Sequence, residues 1–193
     1  MDEARHVQKL ESILRADAWF MDVLATVRDA DPPDWLVGAG VIRTIVWDHL
    51  HGYAMPTSLA DVDVAFFDAA DLSPARDAAV QADLATRRPT IPWEATNQAA
   101  VHLWYGAYFG TAVDALPCSA AAVATWPETA TSVAVRLQLD DSLTIVAPCG
   151  LADLLGLVLR HNPRRATAAL YLRRVEQKQI ARRWPRVHTI PPT

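Results

Sequence analysis

The chain has 193 residues, is 51% hydrophobic and carries a formal net charge of −4. This length and apolar content suit one globular domain over residues 1–193. No apolar run reaches the roughly 20 residues that a membrane helix needs, and acidic residues interrupt the first segment where a signal peptide would lie. We therefore expect a cytoplasmic protein with no membrane partner.

Charge is distributed unevenly along the chain. Residues 160–186 hold nine Lys and Arg and a single acid, Glu176, so this segment is +8 and the remainder is −12. Such asymmetry indicates either a binding face for an anionic partner or a basic helix docked on an acidic body. Because non-specific affinity for nucleic acid depends on phosphate neutralisation, the acidic remainder makes nucleic acid an improbable partner except through this basic segment.

The first half of the chain alternates helix and strand. Apolar spacing predicts an N-terminal helical element over residues 5–28, and two prolines follow it. Residues 35–37 form a predicted buried strand, residues 38–40 a glycine turn, and residues 41–50 an amphipathic helix. Residues 61–67 alternate between apolar side chains and a face that bears Asp61 and Asp63, which predicts a strand.

The second half continues in the same manner. We predict a helix over residues 73–86, a strand over 91–97, a helix over 113–125, a β-hairpin over 133–146, a short helix over 151–159 and a basic C-terminal helix over 164–184. Residues 97–105 fit a helix or an irregular segment equally well. Interspersed strands and helices with a late hairpin predict an α+β or α/β-like domain, in which helices flank a mixed sheet.

Asp61 and Asp63 are the first candidate site residues. Carboxylates at i and i+2 of a strand lie about 7 Å apart at Cα and point to one side, where they can converge on Mg²⁺ or Mn²⁺. Alternating acids also occur on ordinary solvent-facing strands. Aspartate is depleted in strands, however, and these two interrupt an otherwise apolar one.

The turn before the second helix is the other candidate. Gly38, Ala39 and Gly40 precede a helix N-terminus, where free backbone N–H groups and the helix dipole favour a phosphate. Arg43 lies in the first turn of that helix and could reach the same anion. Trp47 and His51 continue its stripe and are better explained by packing.

The glycine turn and the paired-carboxylate strand together resemble the DNA polymerase β-like nucleotidyltransferase superfamily. A bacterial nucleotidyltransferase-like family within it is similar over nearly the whole chain. The similar stretches are GAGVIRTIVWDHLHG at 38–52, DVDVAFFD at 61–68, PW at 92–93, NQ at 97–98 with His102, WPETAT at 126–131 and APCGLADLLGLVLR at 147–160.

This resemblance implies a mechanism. Asp61 and Asp63 would hold Mg²⁺, and the turn with Arg43 would hold the triphosphate of an NTP. An acceptor hydroxyl would attack the α-phosphorus and pyrophosphate would leave. The chain departs from the superfamily pattern at Ala39, where a serine is usual.

A third carboxylate is expected on the next strand, and its place here is open. We predict Asn97 at that position, on the face of Asp61. Alternation places Glu94 on the face opposite Asn97, and Asp114 would have to fold back.

Gln98 and His102 would bind a base or sugar if they face the cleft, or satisfy backbone groups at a strand end. Three functions follow: a nucleotidyltransferase that moves NMP from NTP to an unidentified acceptor, a non-catalytic nucleotide-binding or regulatory module that has lost the third carboxylate, or a nucleic-acid-associated protein.

Overall fold

A five-stranded mixed sheet organises the molecule. The computed structural model describes residues 2–192, and its strands run in the order β3-β2-β1-β4-β5. They are β1 (Leu36–Gly38), β2 (Val62–Phe66), β3 (Trp93–Asn97), β4 (Ala134–Leu137) and β5 (Leu143–Val146). Strands β2 and β3 are parallel and the other neighbours antiparallel, with β4 and β5 forming the predicted hairpin. The expected α+β class with a mixed sheet and flanking helices is confirmed.

The two faces of this sheet differ in chemistry. The face that includes Val62, Val64 and Phe66 belongs to the main hydrophobic core. On the opposite face, Asp63 pairs in register with Gly38 on β1 and with Glu94 on β3. Side chains at paired positions point the same way, so the second face is where polar groups collect.

Helices cover the sheet and close the core. Their bounds are α1 (Asp2–Ala16), α2 (Ala18–Ala30), α3 (Gly40–His51), α4 (Pro74–Arg87), α5 (Val101–Phe109), α6 (Ser119–Val123), α7 (Ala152–Leu155), α8 (Ala168–Lys178) and α9 (Ile180–Arg183). A second small sheet pairs β6 (Val158–Leu159) in parallel with β7 (His188–Thr189). No helix within residues 2–192 is long and apolar enough to cross a membrane.

The N-terminal element predicted over 5–28 is two helices rather than one. Asp17 lies between α1 and α2 in an extended conformation, and its side chain accepts a hydrogen bond from the Phe20 backbone N–H. An aspartate N-cap competes with continuation of the preceding helix, which the apolar spacing alone does not reveal. Leu10, Leu14 and Phe20 are all fully buried, so both helices contribute to the core.

The basic helix predicted over 164–184 is also divided. Helix α8 begins after Thr167, whose hydroxyl accepts from the Leu170 N–H, and ends at Lys178. Gln179 then adopts a left-handed conformation before α9. Tyr171 and Ile180 are buried in the main core, so the segment is part of the folded body. Burial of these two apolar side chains holds the basic segment against the core.

Two further predicted helices are shorter than expected. Within residues 113–125 only α6 is helical, and within 151–159 α7 gives way to β6. The segment 97–105, which fitted a helix or an irregular structure equally well, becomes helical from Val101, where α5 begins.

Candidate active site

The two motif aspartates lie on the polar face of the sheet, and each lines one of two neighbouring cavities. Asp63 is the second residue of β2, and Asp61 immediately precedes that strand. The pairing of Gly38 with Asp63 brings the glycine turn directly beside them. Strand β2 lies between β1 and β3, so Asp63 is on an interior strand of the sheet.

Glu94 is a third carboxylate on the polar face of the sheet. It pairs with Asp63 in the parallel register between β2 and β3, so both side chains leave the same face of adjacent strands. Burial first, and then the charges of Asp61 and Glu94, raise the pKa of Asp63 to about 7. Asp63 is therefore desolvated and repelled by two neighbouring carboxylates, which favours a protonated Asp63 or a bound cation.

Asn97 does not lie with these carboxylates, contrary to the sequence-based expectation. It shares the opposite face of β3 with Trp93 and Ala95 and is fully buried. Its side-chain oxygen accepts from the backbone N–H groups of Asp68 and Ala99, and its amide nitrogen donates to the carbonyls of Asp68 and Asp71. The amide organises the loop after β2, and odd–even alternation along β3 keeps it away from Asp63.

Gln98 and His102 have different positions. Gln98 lines the same cavity as Asp63 and Glu94, and its side-chain amide donates to the Thr96 carbonyl at 3.2 Å. His102 lies in the first turn of α5 with its Nδ1 buried and unpartnered within residues 2–192, and it is outside the set of residues that line that cavity. The two therefore do not form the joint base- or sugar-binding pair that the sequence allowed.

The residues of the glycine turn have distinct surroundings. A Cβ at Gly38 would lie 2.7 Å from both the Ala134 Cβ and the Trp126 ring, so this glycine permits close packing. Ala39 adopts φ 58°, ψ −116°, a conformation that L residues seldom adopt. A Cβ at Gly40 would meet only Asp61 Oδ1 at 3.8 Å and Arg43 Nη2 at 4.0 Å, so Gly40 lies between a carboxylate and a guanidinium.

Arg43 is a buried cation beside this turn. Its guanidinium lies 5.6 Å from the Trp47 ring and 5.2 Å from the Trp184 ring, and these two rings pack edge to face. Burial lowers its pKa to about 10, which leaves it protonated at neutral pH. Its Nε has no hydrogen-bond partner in the described part of the chain. Trp47 is fully buried, in agreement with a packing role.

A cationic pocket opens beside Arg43. We use this name for a cavity of about 260 Å³ that Gly40, Arg43, Asp61, Lys178 and Arg183 help to line. Lys178 comes from the last turn of α8, and burial lowers its pKa. This lysine was not among the predicted site residues. The sequence feature that could have pointed to Lys178 is the basic segment 160–186. Nothing in the sequence, however, shows that α8 lies near the carboxylates.

An aromatic cleft opens on the other side of the carboxylates. It has a volume of about 270 Å³, and its lining includes Asp63, Glu94, Trp104, Tyr105 and Trp126, together with Arg165 and Arg174. The carboxylates therefore stand where a cationic pocket meets an aromatic cleft. This arrangement can hold a polyanion on one side and a second reactant on the other.

A buried ion pair ties α8 to this site. The Arg174 Nε donates to Glu128 Oε1 at 2.6 Å, and Glu128 is 2% exposed. Burial opposes ionisation of Glu128, but Arg174 holds its pKa below the usual range. The charges of Asp63 and Asp61 also act on Arg174, so this arginine belongs electrostatically to the site.

The oxygens present suit a hard divalent cation, which prefers carboxylates and phosphate oxygens. Within residues 2–192, no three His, Cys, Asp or Glu side chains converge closely enough to form a complete metal site by themselves. Asp61 and Asp63 would thus supply part of a coordination shell, with substrate oxygens completing it. The unrelieved repulsion around Asp63 is the feature that such a cation would remove.

Comparison with known proteins bears on the family and the fold. A family model described as a nucleotidyltransferase matches residues 25–189. An NMR structure described as revealing a CCA-adding enzyme head domain is similar with a TM-score of 0.80 and 25% identity, covering 95% of each chain. A CCA-adding enzyme in complex with CTP is similar with a TM-score of 0.55 and 12% identity, over 94% of this chain and 43% of that one. No curated protein sequence matches.

Proposed function

The chain belongs to a nucleotidyltransferase family, and from this premise we propose that it uses a divalent metal to move a nucleoside monophosphate from an NTP to an acceptor hydroxyl. The observation that carries the proposal is the register of β2 and β3, which places Glu94 beside Asp63. A third carboxylate next to the motif pair is what the transfer step requires of this face.

The cationic pocket supports a triphosphate. Arg43, Lys178 and Arg183 are side chains from three different helices that meet at one cavity beside Gly40. The Gly40 backbone N–H also acts on Asp63, where it opposes the rise in pKa. A phosphate chain at the N-terminus of α3 would receive both backbone N–H groups and these cations.

The carboxylates supply the metal-binding half of the chemistry. Asp61 and Asp63 would hold Mg²⁺ against the α-phosphate region, and Glu94 would hold the ion nearest the acceptor. Bound Mg²⁺ supplies charge neutralisation of the phosphates and lowers the pKa of the acceptor hydroxyl. The protein's own residues bind the triphosphate and orient it toward the carboxylates.

The alternative of a non-catalytic nucleotide-binding module rested on a missing third carboxylate. Glu94 occupies the neighbouring strand position on the Asp63 face, and this position supports the catalytic proposal over the alternative. The similarity to CCA-adding enzymes favours catalysis as well, although the acceptor of those enzymes is not thereby assigned to this chain.

The test separates binding from transfer. NTP binding is measured by calorimetry with and without Mn²⁺, and transfer is measured with α-labelled NTPs, Mg²⁺ and a cell extract, in wild type and in Asp63→Asn and Glu94→Gln. We expect wild type to bind NTP with the metal and label an acceptor. Asp63→Asn should lose metal-dependent binding, and Glu94→Gln should keep much of it while labelling falls at least about 100-fold.

Glu176→Gln is the matched control, because Glu176 is an exposed acid on α8. Its binding and labelling should equal those of wild type. Labelling by Glu94→Gln at the wild-type rate would contradict the assignment of Glu94. Equal Mn²⁺-dependent binding in wild type and Asp63→Asn would contradict metal-assisted binding at this face.

A further inference from the structure

Helix α5 presents a row of aromatic side chains that the core does not use. Trp104, Tyr108 and Phe109 are 41%, 78% and 39% exposed, respectively. With Tyr105 they form what we call the aromatic face of α5, and its rings contact one another at centroid distances of 4.5 Å for Tyr105–Phe109 and 4.8 Å for Tyr108–Phe109. A contiguous cluster of exposed apolar side chains of this kind marks a binding surface, whereas scattered single ones are ordinary.

Two arginines line a cavity beside these rings. The Arg165 guanidinium lies 5.3 Å from the Tyr105 ring, and Arg173 projects from the second turn of α8. Together with Tyr105, Tyr108 and Phe109 they line a cavity of about 240 Å³. Among the described residues, neither arginine forms a salt bridge, and no carboxylate contributes to this lining. The surface is therefore aromatic and cationic.

This cavity adjoins the aromatic cleft. Tyr105, Phe109, Arg165 and Leu170 line both of them. The cleft itself contains Asp63 and Glu94, so an extended molecule on the aromatic face of α5 can reach the carboxylates with one end. The aromatic face of α5 is therefore close enough to the carboxylates to bind a substrate.

The in-line geometry of nucleotidyl transfer indicates which of the two substrates approaches from the aromatic cleft. In phosphoryl and nucleotidyl transfer the attacking and leaving oxygens lie roughly opposite each other across the phosphorus. The proposed triphosphate site is the cationic pocket, which Asp61 lines, whereas Glu94 lines the aromatic cleft. The acceptor hydroxyl therefore approaches from the aromatic side, beside Glu94.

We propose that the aromatic face of α5, together with Arg165 and Arg173, binds the unpaired end of a single-stranded polynucleotide that serves as the acceptor. The inference rests on the proposed function, because it assigns the second substrate of that site. Bases stack on exposed aromatic rings and on guanidinium planes, and phosphates pair with arginine. The net charge of −4 does not oppose this, since the cationic side chains are local to α8 and the loop before it.

The test measures polynucleotide binding directly, without turnover. Fluorescence anisotropy follows labelled, unstructured RNA and DNA octamers at several salt concentrations, with wild type, Tyr108→Leu, Tyr108→Phe and Arg173→Gln. Tyr108 and Arg173 line the outer cavity but not the cleft that contains the carboxylates, so their variants report on acceptor binding alone.

We expect wild type to bind at least one octamer. Tyr108→Leu should weaken binding about tenfold, because leucine keeps apolar bulk without a stacking face, and Tyr108→Phe should restore it. Arg173→Gln should reduce the slope of log affinity against log salt by about 0.7, the value for one phosphate contact with a single strand. Comparison of the RNA and DNA octamers shows whether the protein prefers an RNA or a DNA strand.

Matched controls are Trp19→Leu and Arg5→Gln, an exposed aromatic and an exposed arginine on the N-terminal helices. Both should bind as wild type does. Failure of all octamers to bind, or equal weakening by Trp19→Leu and Tyr108→Leu, would overturn the inference. A self-association that Tyr108→Leu abolishes, with no octamer binding, would show a protein interface instead and would also overturn it.

The two proposals fail separately. Mn²⁺-dependent NTP binding that persists while no octamer binds leaves the transferase proposal intact and removes the polynucleotide acceptor. Weaker NTP binding in Tyr108→Leu, with octamer binding unchanged, would assign the rings to the incoming nucleotide and overturn the acceptor assignment. Octamer binding that needs Tyr108 while NTP fails to bind would support the surface and contradict the transferase proposal.

Discussion

Two glycines of one turn differ in what surrounds them. Gly38 lies under the Trp126 ring and against Ala134, whereas Gly40 faces the open site. Both were predicted as parts of a phosphate cradle. The surroundings indicate that Gly38 is needed for packing and that Gly40 is the position open to a ligand.

Substitution by alanine should separate these roles. Gly38→Ala should lower the free energy of unfolding by about 1–3 kcal/mol, because a methyl group would overlap the Trp126 ring. Gly40→Ala should change it by less than about 1 kcal/mol, since alanine suits a helix and has space there. Urea denaturation of the two variants checks this, and equal destabilisation would be inconsistent with the packing described.

Asp63 is destabilising in the protein without metal. Its pKa is about 7 in the folded state and about 3.9 when unfolded. The folded state therefore keeps a proton that the unfolded state loses, so this group reduces stability progressively as pH rises from about 4 to about 7.

Asp63→Asn removes this dependence. We expect the variant to be more stable than wild type by an amount that is small near pH 4, grows to about 1–3 kcal/mol near pH 7 and then levels off. Chemical denaturation in EDTA across this pH range measures the difference. A difference that is the same at every pH would be evidence against a raised Asp63 pKa.

At the scale of elements, the position of α8 decides the electrostatics of the site. Its Arg174 pairs with the buried Glu128, and its Lys178 lies in the cationic pocket. The basic segment is thus turned inward along part of its length, toward the carboxylates of an acidic body. The sequence left two interpretations of this basic segment open: a helix docked on the acidic body, or a binding face for an anionic partner. Arg174 and Lys178 fit the first interpretation, while Arg173 remains exposed.

A double-mutant cycle tests the ion pair. Arg174→Met leaves Glu128 buried beside fewer cations and should cost at least about 2 kcal/mol of unfolding free energy. Glu128→Gln with Arg174→Met should recover part of that loss, because no uncompensated charge is then buried. Thermal and urea unfolding of the single and double variants measure the coupling, and additive losses would argue against a direct pair.

At the scale of the whole molecule, the C-terminal segment completes the core. Trp184 is fully buried, packs against Trp47 and donates its Nε1–H to Asp48 Oδ1 at 2.6 Å. These contacts join the end of the chain to α3, the helix that follows the glycine turn. Stability of the site and of the C-terminal segment should therefore be inseparable.

Trp184→Ala should accordingly destabilise the whole protein by about 3–5 kcal/mol, through the cavity it leaves and the lost hydrogen bond. Leu172→Ala, at a residue 52% exposed on α8, should have little effect. Circular dichroism and calorimetry would follow both. A wild-type melting temperature in Trp184→Ala would mean that the C-terminal segment is not part of the cooperative unit.

The sequence by itself determined the α+β class, the five strands of the main sheet, and the position of Asp61 and Asp63 beside the glycine turn. Those features depend on local periodicity and short connections, which a sequence displays directly. The same alternation could have excluded Asn97, because it shares odd–even parity with Trp93 and Ala95 in an apolar row. It was assigned by its position in the family pattern instead.

Only the tertiary structure decided which groups surround that pair. The register between parallel β2 and β3 joins Asp63 to Glu94 across 31 positions of the chain, and no local pattern specifies such a register. The placement of Lys178 and Arg174 depends on how α8 packs its buried Tyr171 against the core. Long-range packing sets these distances, because it is the summed burial of distant side chains that selects one docking position for a helix.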